Sequence, residues 1–314
     1  MIDSKQNRGR VEKAKFDWYS ATFFELIPGI VGDMPYQIRE IIEVEFLARF
    51  GVGGIWLDNH KGMNGYVNSW SFRPFDTDTG EIEMGEAICT LCFGHVSASP
   101  SVFASGNTAG MLADILRMEG FPVKHHVSRC DIAFDTREIK FDDLYEYLKT
   151  FAKRKGLSTS YYGDFDRKKG RTYYVGSSKS ACYLRVYEKG FEQRSKGWKD
   201  APLDWVRIEF QMRPDKAIRE RVSGMLPEEV VNISRWATEL MGLFGVGGEH
   251  MPHRVESDDS IEARFASLIR SRKSSFWLEV QEMCHGDLLN LGQHVIRVLV
   301  NTGKLSADEV KGAR

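Results

Sequence analysis

YLRVYEKG, residues 183–190, alternates apolar and polar side chains, and that alternation decides how the middle of the chain is read. Successive side chains of a strand point to opposite faces. Leu184 and Val186 therefore share an inward face, and Arg185, Tyr187 and Lys189 share the other. Two more stretches obey the same rule. In SRCDIAFD, residues 128–135, Cys130, Ile132 and Phe134 form the apolar face, opposite Arg129, Asp131, Ala133 and Asp135. In WVRIEFQM, residues 205–212, Val206, Ile208 and Phe210 go inward, and Arg207, Glu209 and Gln211 go outward. If these strands are neighbours, one surface collects carboxylates, cations and a tyrosine.

Around this centre the chain separates into three regions. Residues 1–14 are polar and basic without periodicity, which predicts a mobile arm. Residues 15–213 alternate between short strand-like runs, KFDWYSATF, GYVNSWSF, ICTLCFGHV, RCDIAFD, TYYVG, YLRVY and WVRIEFQM, and two helices. The first helix, PYQIREIIEVEFLARFG, carries Ile38, Ile41, Ile42 and Phe46 on one stripe, with Pro35 and Gly51 as start and stop. The second, FDDLYEYLKTFAKRKG, has Asp142 as its expected cap, Leu144, Leu148 and Phe151 as its buried stripe, and Gly156 as its stop. From Pro214 to the end, residues 214–314 read as helical. The expectation is an α+β fold: a curved, largely antiparallel sheet with helices on one face, followed by an all-helical C-terminal region. No internal repeat or low-complexity tract is apparent in the sequence.

With 314 residues, 42% hydrophobic and 28% charged, the chain is long enough for one large or two moderate cores. No apolar run approaches the roughly 18 to 20 residues of a membrane span, and MIDSKQNRGRVEKAK lacks the apolar core of a signal peptide, so a cytoplasmic protein is expected. Five cysteines argue against a disulfide framework, and Cys89-x-x-Cys92 lacks the second pair that a zinc site needs. The net charge of −1 conceals an asymmetry. Residues 149–199 hold 14 Lys or Arg, among them Lys168, Lys169, Arg171 and Lys179, against four acids. Aromatic residues, Tyr174 among them, are interleaved with that charge. Cations that track a phosphate backbone and rings that stack on bases suit single-stranded nucleic acid, while a solvated basic surface over core aromatics explains the same composition.

The polar surface also admits two readings. Carboxylates from adjacent strands are hard oxygen ligands for Mg2+ or Mn2+, Arg and Lys can hold a phosphate, and the phenol of Tyr187 is a candidate nucleophile. Alternatively the surface is the solvent face of a one-sided sheet whose charges form cross-strand ion pairs, Asp131 with Arg185 or Glu209 with Arg207.

The succession SRCDIAFD, RTYYVGSSKSACYLRVYEKG and WVRIEFQMR resembles the replication initiation factor family, the rolling-circle initiators of some plasmids and filamentous phages and related relaxases of integrative elements. Arg129, Asp131 and Asp135, then Tyr174, Gly176 and Ser177, then Arg185, Tyr187 and Lys189, and finally Trp205, Arg207 and Glu209 match its motifs in order over residues 125–213. FDWYSATF and GHVSASPSVFASG match more loosely. The resemblance implies a nickase of one strand at a single-stranded or locally melted origin. Tyr187 would be the nucleophile, joined to the 5′ end, with Arg185 and Lys189 beside it. Asp131, Glu209 and Asp135 would bind Mg2+ or Mn2+. Arg129, Arg207, Lys179, Tyr174, Ser177, Arg171, Lys168 and Lys169 would contact DNA. The helical tail would read the origin, form a homodimer or meet a host helicase. A non-catalytic DNA-binding regulator of the same fold and a conjugative relaxase are the alternatives. His125 and His126 are adjacent, so they cannot share one strand face as paired metal ligands.

Overall fold

The computed structural model describes residues 11–26, 33–75, 79, 82, 85–95, 99–119, 121, 123–163, 170–246, 248 and 250. All lie within one compact unit, Met1–Val255. The expectation of helices beyond residue 250 falls outside the described residues, as do residues 1–10 of the mobile arm expected over 1–14; of its last four residues, Val11 and Ala14 are buried in the core.

Among the described residues, ten strands form a single antiparallel sheet: β1 (Lys15–Leu26), β2 (Gly54–Asp58), β3 (Asn68–Pro74), β4 (Cys89–Phe93), β5 (Ser101–Ser105), β6 (Val123–Thr136), β7 (Thr159–Tyr162), β8 (Thr172–Val175), β9 (Cys182–Glu188) and β10 (Val206–Met212). Their spatial order is β2-β3-β4-β5-β1-β6-β10-β9-β8-β7. The sheet is two copies of one path. A long strand leads through a helix into a four-stranded meander whose last strand returns beside the first. β1 opens the first copy and β6 the second, and these two strands pair at the centre. The helices in corresponding places are α1 (Met34–Phe50) and α3 (Phe141–Lys155). Each ends on a glycine at φ +65°, Gly51 and Gly156, the left-handed position that closes a helix without a Cβ clash. No sequence motif marks this duplication, which is why the chain reads as unrepeated.

Three strands and two helices are absent from the sequence-based reading: β2, β5, β7, α2 (Asn107–Leu116) and α4 (Lys189–Ser195). α2 buries Ala109, Leu112, Ala113, Ile115 and Leu116, so its apolar residues do not form the narrow stripe that marks a surface helix. The expected cap of α3 is also different. Lys140 occupies the cap position without a side-chain bond, and Asp142, inside the first turn, pairs instead with Arg171 at 2.6 Å.

The apolar face of the sheet and the helices bury one continuous core. Ile38, Ile42 and Phe46 of α1 belong to it, with Phe46 against Phe72 at 5.9 Å, as do Leu144, Leu148 and Phe151 of α3. After β10 the chain turns helical, with α5 (Arg219–Ser223), α6 (Pro227–Val230) and α7 (Arg235–Gly242). Ile218, Val222, Val230, Leu240 and Met241 from this stretch enter the same core, and Trp236 packs on Phe210 at 6.1 Å. Residues 218–241 are thus held to the sheet by ordinary apolar burial, about 25 cal/mol per Å². Among the described residues no helix is long and apolar enough to cross a membrane.

Candidate functional site: a charged face at the second meander

β6, β10 and β9 lie side by side, and their register sorts the polar face into rows. Asp135, Arg207 and Tyr187 form one row, continued by Thr172 on β8. Ala133, Glu209 and Arg185 form the next, continued by Tyr174. Asp131, Gln211 and Tyr183 form the third. Asp131 and Glu209 are therefore diagonal neighbours, and Tyr187 stands one row from Glu209 and two from Asp131.

These charges are not on a solvated surface. Asp131 is 3% exposed, Glu209 2%, Arg207 4% and Tyr187 8%. Each carboxylate is met by a guanidinium. Arg129 grips Asp131 with two bonds of 2.9 and 2.5 Å, Arg207 grips Asp135 at 2.7 and 2.9 Å, and Arg185 bonds Glu209. The pairs expected of a solvent face, Asp131 with Arg185 and Glu209 with Arg207, do not form. In this register Arg185 stands opposite Glu209 and Arg207 opposite Asp135.

The strands also recruit two charges that sequence reasoning missed. Asp17 accepts from Arg207 at 2.6 Å, and Lys15 lies 2.8 Å from Asp135. A register shift in β1 between Phe16 and Trp18 breaks strict alternation there, so parity alone does not assign Asp17 to this face. Trp18 itself lies under Arg129, whose guanidinium sits 4.6 Å from the ring centroid, and stacks on Phe103 at 5.0 Å. Arg129 thus spans a cation–π contact and a bidentate ion pair.

Tyr187 is the centre of the local chemistry. Its hydroxyl donates to Glu209 Oε2 at 3.2 Å and accepts from Lys189 Nζ at 3.5 Å. Arg185 lies 5.2 Å from the ring centroid. Burial, reinforced by the negative charge of Glu209, raises the phenol above its ordinary pKa, so the hydroxyl keeps its proton at neutral pH. Lys189 is not a strand residue. β9 stops at Glu188, and Lys189 begins α4, buried and held by Glu192 at 2.5 Å. It reaches Tyr187 from the helix end rather than by strand alternation.

The remaining candidates divide. Tyr174 lies on the charged face, its ring stacked on Tyr183 at 5.5 Å and 7°. Tyr173 points the other way, into the core against Tyr145 at 4.9 Å. Arg171 is also committed elsewhere, clamped by Glu188 at 2.8 Å and Asp142 at 2.6 Å in a buried tie between β9 and α3. Ser177 and Lys179 are exposed in the turn joining β8 to β9. Tyr187 stands at the opposite end of β9, roughly 17 Å of strand from Cys182, so the structure does not bring the turn to the tyrosine. Lys168 and Lys169 lie outside the described residues. Part of the basic segment faces away as well, since Arg154 and Lys155 on α3 pair with Glu239 of α7 at 2.9 and 2.5 Å.

His125 is packed against Tyr19 and Phe23, with ring centroids 6.5 and 6.3 Å apart, and His126 stacks on Phe24 at 5.4 Å. Burial, with help from His126 and Arg117, brings His125 down to about 4.

A divalent ion would have to fit what the face offers. Asp131 and Glu209 present hard carboxylate oxygens. Burial raises both above the ordinary carboxylate range although Arg129 pulls the first down and Arg185 the second. Two carboxylates with water and phosphate oxygens completing the shell suit Mg2+ or Mn2+. Among the described residues no three Asp, Glu, His or Cys side chains converge as a complete cage.

Residues 125–222, which carry β6, β9, β10 and the whole charged face except its β1 members, match the model of the family described as replication initiation factor. Over that segment the chain is similar to the replication initiation factor family. A relative from Bacillus subtilis (strain 168), "Putative DNA relaxase NicK", is 34% identical over 102 residues, 29% of this chain and 28% of its own length. The chain thus spans under a third of that relative. A solved structure, the rolling circle replication initiator protein from Geobacillus stearothermophilus, aligns with 80% of this chain and 90% of its own at a TM-score of 0.48 and 16% identity.

Proposed function

We propose that the protein initiates rolling-circle replication by nicking one DNA strand at an origin and holding the cut 5′ end on Tyr187. The observation that carries this reading is the position of the Tyr187 hydroxyl, 3.2 Å from the Glu209 carboxylate and 3.5 Å from the Lys189 ammonium, within the family segment.

A phenol with a raised pKa is a poor nucleophile until its proton has somewhere to go. Glu209 Oε2 already accepts that hydrogen and serves as the base. As the Tyr187 oxygen attacks the scissile phosphorus, its proton passes to Glu209, and the phosphorus–3′-oxygen bond breaks. The departing 3′ oxygen takes a proton from solvent and becomes a free hydroxyl. Lys189 stabilises the charge that develops on the phenolic oxygen, and Arg185 turns to the phosphate. Asp131, with Asp135 as a further candidate, would hold Mg2+ or Mn2+ together with Glu209 Oε1, the oxygen that Arg185 gives up when it turns to the phosphate. When bound, the ion supplies a positive charge against which the phosphate's own charge is spread. Asp135 is the least available of the three, since Arg207 and Lys15 outweigh its burial and hold it down to about 2.

Arg129, anchored by Asp131 and Trp18, and the Tyr174–Tyr183 stack fit contacts to unpaired DNA. Arg207 and Arg171 act through the carboxylates they hold. The relaxase reading uses the same chemistry on a transferred strand, and the name of the Bacillus relative favours keeping it as the alternative.

The test uses labelled single strands tiled across the DNA that encodes the protein, with Mn2+. A denaturation-resistant adduct should form on one tile and disappear in Tyr187→Phe. An adduct that persists in Tyr187→Phe overturns the nucleophile. Cleavage without any adduct supports attack by water, and binding without cleavage supports a regulator.

A further inference from the structure

We infer that the cleft beside Tyr187 is a subsite for one unstacked nucleotide, the one whose 5′ phosphate the tyrosine would retain; this rests on the nicking reading above. The cleft holds about 820 Å³, a volume suited to a small ligand rather than a duplex. Tyr174, Arg185 and Tyr187 line it from the strands, Phe191 and Arg194 from α4, and Leu203 from the loop that follows.

The chain builds this cleft deliberately at two glycines. A Cβ on Gly190 would lie 1.8 Å from the Pro202 carbonyl oxygen, so only glycine lets α4 turn tightly off the end of β9. A Cβ on Gly170 would lie 2.8 Å from Phe191 Cβ, so the backbone just before β8 passes close against that side chain. Phe191 is thereby fixed at the rim, half-buried, without a hydrogen-bonding function of its own.

The charges fit a phosphate-bearing ligand. The two carboxylates in the cleft are neutralised by cations, Glu188 by Arg171 at 2.8 Å and Glu192 by Lys189 at 2.5 Å and Lys196 at 3.1 Å. Arg194 is exposed, its Nε donating to the Ala201 carbonyl at 2.8 Å. Aromatic faces beside guanidinium groups hold a base and its phosphate together, and the ring contact is sequence-tolerant because every base has a π face. Tyr187 lines the same cleft, so a phosphate seated at its hydroxyl remains joined to a base lodged against Phe191.

Thymidine 5′-monophosphate and inorganic phosphate separate the two parts of this claim. Calorimetry on the full chain with Mn2+ should find the nucleotide at least tenfold tighter than phosphate. Phe191→Ala should shrink that ratio below twofold, and Trp198→Ala, an exposed ring outside the cleft, should leave it unchanged. On the unsubstituted protein, 2-aminopurine deoxynucleoside 5′-monophosphate should lose fluorescence on binding, which keeps the test valid if Phe191→Ala fails to fold. Equal affinities for nucleotide and phosphate, or unquenched fluorescence, overturn the subsite. A DNA adduct on Tyr187 together with equal affinities would leave the nicking reading intact and remove the subsite alone. A tenfold preference without any adduct would do the reverse.

Discussion

Residues 15–105 and 123–212 each run from a long strand through a helix into a four-stranded meander, and each returns its last strand beside its first. The polar faces of the two meanders differ in kind. In the first, Ser69, Ser71 and Thr90 are buried and neutral, tied by Asn59, whose amide donates to Ser69 and Ser71 at 2.9 Å. In the second, the same side of the sheet holds Asp131, Asp135, Glu209, Arg185 and Arg207. The connections differ too. β9 reaches β10 through α4, which contributes Lys189 and Phe191, whereas residues 94–100 join β4 to β5 without a helix among those described. One chain path therefore supports either a neutral hydroxyl network or a charged, reactive one. What decides is which side chains occupy the outward positions and whether a helix is inserted beside them.

The largest expected stability effect lies in the charged half. Arg207 bridges Asp135 and Asp17, and all three are at least mostly buried. Arg207→Met keeps the bulk and leaves two carboxylates without their shared counterion. Removing one partner of such a cluster costs about 3–5 kcal/mol, and urea unfolding at pH 7 should read that loss. A loss below about 1 kcal/mol would mean that the row behaves as solvated surface charge and that the contrast between the halves is overstated.

Parity made the face legible. Alternation in three short runs selected Asp131, Asp135, Arg185, Tyr187, Arg207 and Glu209, because a strand with one buried side must repeat every two residues. Register was not legible, since cross-strand partners depend on where hairpins close. The ion pairs therefore came out differently from those expected. Asp17 escaped because the irregularity between Phe16 and Trp18 breaks the period at that point. Lys189 satisfied the parity count by coincidence, its chain having already turned into α4. Arg171 read as one more cation in a basic segment, and only the fold shows it spent on Glu188 and Asp142. The duplication escaped for a related reason: equivalent strands share a path and an apolar face, which many sequences satisfy, and none of the residues that carry chemistry.

The seam between the halves should give the next effect. His125, on β6, is 8% exposed against Tyr19 and Phe23 of β1, and burial lowers it from 6.5 to about 4. Between those values the unfolded chain binds a proton that the folded chain does not. Stability therefore falls as pH drops from about 6.5 towards 4 and no further from this group below that, by at most about 3 kcal/mol. Urea midpoints measured at pH 7, 5.5 and 4 should show a steeper decline in the unsubstituted protein than in His125→Asn. Parallel slopes would place the acid sensitivity in the carboxylates of the second half instead.

The smallest effect belongs to the neutral half. Ser71 donates to Asn59 Oδ1 at 3.1 Å and lies 3.5 Å from Thr90, all without charge. Ser71→Ala removes one hydroxyl and with it the 3.5 Å contact to Thr90, while Asn59 still reaches Ser69 at 2.9 Å and Ser69 still donates to the Lys61 carbonyl at 2.7 Å. A net loss of about 1 kcal/mol is expected, the ordinary worth of a neutral hydrogen bond. The yield of DNA adduct on Tyr187 should not change, because β3 is separated from β6 by β4, β5 and β1. A Ser71→Ala protein that folds normally but forms less adduct would break the comparison at its root. It would mean that the neutral face also holds the DNA strand, with the two meanders acting as one binding surface rather than as a scaffold and a site.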